Sequence, residues 1–232
     1  MIESLSERLE AIVSARSAPQ SAAWFKNAMA EAGSSDAARA VPIAFAGAGR
    51  RLGRAVVTLS DSERETLRGA GMEALSETWG LDAIGRVALL VRAANQIPDP
   101  ARSRLVADLY EKGELREQEA VLRALAYLPE PRSYLAVAVG ACRSHAQSVF
   151  EAIACENPYP GAFFPDLNFN QMVLKAVFTG ASVERIAGLD SRITPELVRM
   201  AEGYASERRA AGRPVPADID RIIAGARRNL FQ

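Results

Sequence analysis

The chain has 232 residues, and its 28 lysines and arginines balance 28 aspartates and glutamates for a net charge of zero. Neutrality removes the electrostatic footprint of a nucleic-acid binder, so no nucleic-acid partner is expected. Two cysteines, Cys142 and Cys155, are too few for a disulfide framework. No apolar run reaches the roughly 18 residues of a membrane span, and the acidic start Met1-Ile2-Glu3-Ser4 is no signal peptide, so the expectation is a cytoplasmic protein without a transmembrane segment.

Leu5, Leu9, Ile12 and Val13 recur at helical spacing and predict a first helix to about Ala15. Ser17-Ala18-Pro19 restarts the chain, with Ser17 as N-cap, and a second helix stops at Gly33. Gly47, Gly49 and Gly53 invite a phosphate-loop reading. Their spacing is not the dinucleotide fingerprint and no βαβ unit surrounds them, so the stretch reads as a helix of small residues followed by an exposed turn with Arg50, Arg51 and Arg54. Ser60-Asp61-Ser62-Glu63 is a capping box opening the next helix.

From Asp82, the residues Ile84, Val87, Ala88 and Val91 mark a helix that Leu89 and Leu90 widen to two buried sides. Pro98-Asp99-Pro100 breaks it, and Asp99 caps a helix ending at Gly113. Another stops at Pro129-Glu130-Pro131, and Tyr134 to Val149 reads as a buried central helix bent near Gly140. Further on, Val183 to Leu189 predicts a short helix, Thr194 caps a long one, and Ile219, Ile222 and Ile223 mark the last. The sum is all-α: one domain over residues 1–232, about a dozen short helices in stacked antiparallel pairs, HEAT-like or an irregular α-solenoid.

The stretch from Cys155 to Gly180 stands apart in an otherwise plain helical chain. Asn157-Pro158-Tyr159-Pro160-Gly161 predicts a turn, and Phe163 and Phe164 supply apolar area that needs a pocket or a partner. Pro165-Asp166 opens a helix to Thr179. On a wheel, Asn168, Gln171, Met172, Lys175 and Thr179 share one side, and its polar stripe of Asn168, Gln171 and Lys175 reads as a solvated face. Leu167, Phe169, Val173, Leu174, Ala176, Val177 and Phe178 fill the rest. Asn170 falls within the apolar arc, where its amide either ties down the Pro-rich loop or lines a pocket.

Glu156-Asn157-Pro158-Tyr159-Pro160 and the block Phe164-Pro165-Asp166-Leu167-Asn168-Phe169-Asn170-Gln171-Met172-Val173-Leu174-Lys175-Ala176 resemble the EboA family, as does Tyr204-Ala205-Ser206-Glu207-Arg208-Arg209-Ala210-Ala211-Gly212-Arg213 near the end. The resemblance implies metabolite traffic encoded in a gene cluster, associated in cyanobacteria with moving scytonemin precursors. It implies as partners the other products of that cluster: a UbiA-type prenyltransferase, a cyclase and a hydrolase. It brings no catalytic residues.

The reading is therefore a non-catalytic binding or scaffold protein. Its candidate surface is Asn157, Tyr159, Phe163, Phe164, Asn168, Asn170, Gln171 and Lys175, offered to a small-molecule metabolite or a partner protein. Two alternatives stand beside it. One is an enzyme on a prenylated or polyol-like metabolite using Lys175, His145 and Glu156. The other is a helical repeat domain for protein–protein contact alone. Cys142, His145, Cys155 and Glu156 match no standard zinc spacing, so neither a metal nor a cofactor is expected.

Overall fold

The computed structural model describes residues 4–72 and 78–229, with side chains to residue 225; Met1, Ile2 and Glu3 of the acidic start lie outside the described residues. Thirteen α-helices account for the fold among the described residues, with four single 3-10 turns and no strand beyond an isolated bridge between Val56 and Gly80. The expected all-α class is the one observed. The chain's contacts gather into two compact units, Met1–Ala141 and Cys142–Gln232.

The first unit is organised on α5 (Leu81–Ala94), of whose residues only Arg92 is not buried. It therefore needs apolar cover on every side, more than the two predicted. Helices α1 (Leu5–Arg16), α2 (Pro19–Ala32), α3 (Ala37–Leu52) and α7 (Leu115–Ala124) all pack on it. The short α4 (Asp61–Gly69) leans on α1, and α6 (Ala101–Lys112) lies against α3 and α7. The Ser60–Glu63 capping box forms as predicted.

Pro100, expected in the first turn of α6, takes the N-cap position without a side-chain bond, and Asp99, expected at the N-cap, sits one residue earlier and accepts from the Ser103 N–H at 3.1 Å. Ser17 does not cap α2. Its hydroxyl turns back to the Val13 carbonyl at 2.8 Å, and Ala18 occupies the N-cap without a side-chain bond.

The predicted central helix from Tyr134 to Val149 is two helices. A 3-10 turn (Pro131–Tyr134) leads into α8 (Leu135–Ala141), where only Ala138 and Ala141 are buried. In the second unit α9 (Gln147–Ala154) buries Val149, Phe150, Ala152, Ile153 and Ala154. The apolar residues of 134–149, which read as one buried helix, are therefore divided between two short helices.

After α9 come α10 (Pro158–Phe163), α11 (Asp166–Thr179), α12 (Pro195–Ala210) and α13 (Ala217–Asn229). The Pro-rich stretch is thus a helix, where a turn was expected. Pro158 sits at N1, Pro160 also lies in the first turn, and neither needs the N–H it lacks because first-turn N–H groups have no intrahelical partner. Val183 to Leu189 makes only one 3-10 turn, Val183–Arg185. Thr194 caps α12 as predicted, accepting from the Leu197 N–H at 3.2 Å.

Candidate functional site

The polar and aromatic segment of α9 to α11 is built mostly inward. Asn157 is 3% exposed and joins two helix ends. Its amide donates to the Ala152 carbonyl of α9 at 2.8 Å, and its oxygen accepts the Tyr159 N–H of α10 at 3.0 Å. Tyr159 and Phe164 are buried, and the half-buried Phe163 ring sits 4.9 Å from that of Tyr159. Gly161 lies where a Cβ would stand 2.8 Å from the Ala187 carbonyl oxygen, so α10 can approach that loop only with glycine there.

Arg192 fixes the end of α10. Its guanidinium donates to the carbonyls of Gly161 at 2.6 Å and Phe164 at 2.7 Å and to the Asp166 carboxylate at 3.0 Å, while lying 4.6 Å from the Phe169 ring centre. This is a tie to the Pro-rich segment, one of the two roles open to Asn170 from the sequence. Asn170 is 1% exposed, and neither its amide nitrogen nor its oxygen has a hydrogen-bond partner. A buried amide in that state costs roughly 1–3 kcal/mol relative to a satisfied one.

The expected solvated stripe of α11 is also rearranged. Lys175 donates to the carbonyls of Cys142 at 2.7 Å and Ser144 at 2.6 Å and lies over the Phe150 ring at 4.7 Å. It locks the loop before α9. Met172 is buried and Asn168 half-buried. Gln171 is exposed, beside Leu167 and Phe178, which the wheel had placed in the apolar arc and which are 61% and 73% exposed.

The cysteines and the acidic and basic candidates, His145 apart, are buried or held by other groups. Burial pushes the Cys142 thiol up to about 12 and the Cys155 thiol up to about 11, so neither is a ready thiolate. Arg185 donates to Glu156 at 2.7 Å and to Glu151 at 2.7 Å. For Glu151, burial raises the carboxyl pKa, but hydrogen bonds from Arg185 and Gln147 outweigh it and the net shift is downward. His145 is exposed. No three His, Cys, Asp or Glu side chains among the described residues gather where they could hold a metal ion. Gly47 and Gly49 lie inside α3, whose backbone N–H groups point along the helix, so they form no phosphate cradle.

The first unit holds a groove that no sequence motif marked. It is open to solvent on one side and offers about 530 Å³ between α3 and α6, with the start of α7 at its end. One wall is Ala38, Pro42 and Ala46, one face of α3. The other is α6, from Ala101 through Arg104, Leu105, Asp108 and Leu109 to Lys112, and Glu117 closes the end. Its α3 wall is open because the groove-lining residues there, Ala38, Pro42 and Ala46, are small. A proline inside an otherwise helical pattern was the available sequence signal.

Behind Glu117 stands a buried ionic network. Asp82 is fully buried and accepts from Arg86 at 2.6 Å and from Arg116 at 2.6 and 3.0 Å. Arg86 also donates to the Phe45 carbonyl at 2.9 Å and lies 3.8 Å from Glu117. Burial alone would raise the Asp82 pKa, but the guanidiniums of Arg116 and Arg86 outweigh it and hold the carboxyl below its ordinary value. Gly80 admits the cluster, since a Cβ there would meet Asp82 Oδ1 at 2.7 Å and Arg116 Nη2 at 2.9 Å.

The family model described as metabolite traffic protein EboA matches residues 5–224, nearly the whole chain. No curated protein and no solved structure matches it. Among the described residues, no helix is long and apolar enough to cross a membrane.

Proposed function

The chain belongs to the EboA family, metabolite traffic proteins by description, and from that premise we propose that it is a non-catalytic binding protein that holds a small metabolite in the α3–α6 groove. The groove's size together with its apolar lining carries the reading. About 530 Å³ is the size of a small-molecule site, and its walls are largely apolar with a few polar groups, the usual make-up of such sites. The enzymatic alternative is weakened because Lys175 and Glu156 are spent on backbone carbonyls and on Arg185. The partner-binding role expected of the Asn157–Lys175 segment has its best support at the exposed face of Gln171, Leu167 and Phe178. Capture of the cluster's prenyltransferase, cyclase or hydrolase by the wild type but not by Leu167→Ser/Phe178→Ser tests it.

The groove is tested with phenylnaphthylamine, an uncharged apolar fluorophore. Saturable one-site binding is expected in the wild type. Ala46→Trp, which fills the groove from an exposed position, is expected to abolish it with helicity and Tm unchanged. Equal binding by both proteins would sink the reading.

A further inference from the structure

We propose that the groove between α3 and α6 selects an anionic amphiphile, a small molecule with an apolar body and one carboxylate, sulfonate or phosphate group, and that Arg104 receives the anion. The inference rests on the groove being a binding site and adds the class of ligand.

The argument is a charge balance over the lining. Four charged side chains face the groove: Arg104, Asp108, Lys112 and Glu117. Asp108 and Lys112 are consecutive turns of α6 and pair at 3.0 Å, so they cancel. Glu117 accepts the Glu114 N–H at 3.3 Å and lies 3.8 Å from Arg86. It belongs to the Asp82, Arg86 and Arg116 network, two carboxylates against two guanidiniums. Arg104 remains. It is exposed and ion-pairs with no described residue, although Asp108 lies one turn further along the same helix face. The lining therefore carries one uncompensated positive charge, on a planar group able to grip an oxyanion with two parallel N–H donors.

The apolar part of the ligand has its own surface. Pro42, Ala46, Leu105 and Leu109 line the groove between the two helices. A cationic ligand is disfavoured because both carboxylates of the lining are already neutralised. A fully neutral ligand would leave Arg104 without a role.

The test compares two fluorophores of one shape and different charge: anilinonaphthalene sulfonate, which is anionic, and phenylnaphthylamine, which is not. The sulfonate is expected to bind more tightly to the wild type, and more weakly as salt rises. Arg104→Gln is expected to weaken the sulfonate roughly tenfold, the worth of one charge-assisted hydrogen bond, and to leave the neutral probe and the Tm unchanged. Asp108→Asn, which frees Lys112, is expected to tighten the sulfonate and leave the neutral probe unchanged. If Arg104→Gln leaves the sulfonate unaffected while Ala46→Trp abolishes both probes, anion selection is overturned and the binding groove stands. If Ala46→Trp affects neither probe, the groove itself is overturned.

Discussion

Asp82 and Asn170 are both interior polar side chains on helices, and the protein treats them in opposite ways. Asp82, a full charge, accepts three hydrogen bonds from two guanidiniums. Asn170, a neutral amide, makes none. The cost of burying a group is set by what is left unpaired, and a paired ion can be cheaper to keep than an orphaned amide. The network around Asp82 joins α5 to α7, and through Arg86 to the Phe45 carbonyl of α3. It therefore ties α3, one wall of the groove, to α7, the helix at its end. Asn170 fixes nothing by a hydrogen bond.

The largest expected effect breaks the paired side of this contrast. Asp82→Ala strands Arg86 in the interior, and urea denaturation should show a loss of about 3–5 kcal/mol. Next, Lys175→Met removes two charge-assisted bonds to the Cys142 and Ser144 carbonyls. A loss of about 2 kcal/mol is expected, with faster amide exchange in the loop before α9. At the orphaned side the sign reverses. Asn170→Leu should raise stability by about 1–2 kcal/mol, and a loss of stability would mean that the amide is bonded after all.

The smallest effect is in pH. The folded Asp82 carboxyl is lowered below its unfolded value, so its contribution is complete above about pH 4 and is lost as pH falls through the folded pKa. Stability of the wild type should decline through that acid window more steeply than that of Asp82→Asn.

What was legible in the sequence was whatever local chemistry decides. Ser60 and Thr194 cap where they were expected to, because a hydroxyl followed by acidic or proline positions satisfies first-turn N–H groups without help from the rest of the fold. Asn170 was correctly placed inside by periodicity, but periodicity carries no information about partners, and the tie to the Pro-rich segment went to Arg192 instead. Lys175 looked solvated because its two acceptors are backbone carbonyls, 31 and 33 positions away, which no wheel displays. The prolines of α10 read as a turn because they stop helices from within yet open them from the first turn. The groove was least visible, since it is made by small side chains on one face of α3 and by a helix, α6, that does not fill the space they leave.

Arg192 also sets an order of events in time. The carbonyls it holds, from Gly161 to Phe164, precede it by 31 and 28 positions. A ribosome delivers Asn157 to Thr179 well before it delivers the side chain that locks α10 to α11. During that interval the most aromatic part of the chain is without its latch, and Tyr159, Phe163 and Phe164 are open to other apolar surfaces. Arg192 is thus placed to latch this segment only after the segment itself has been made. Its loss should appear as a lower yield of soluble chain before it appears as a lower melting temperature of the chains that succeed in folding.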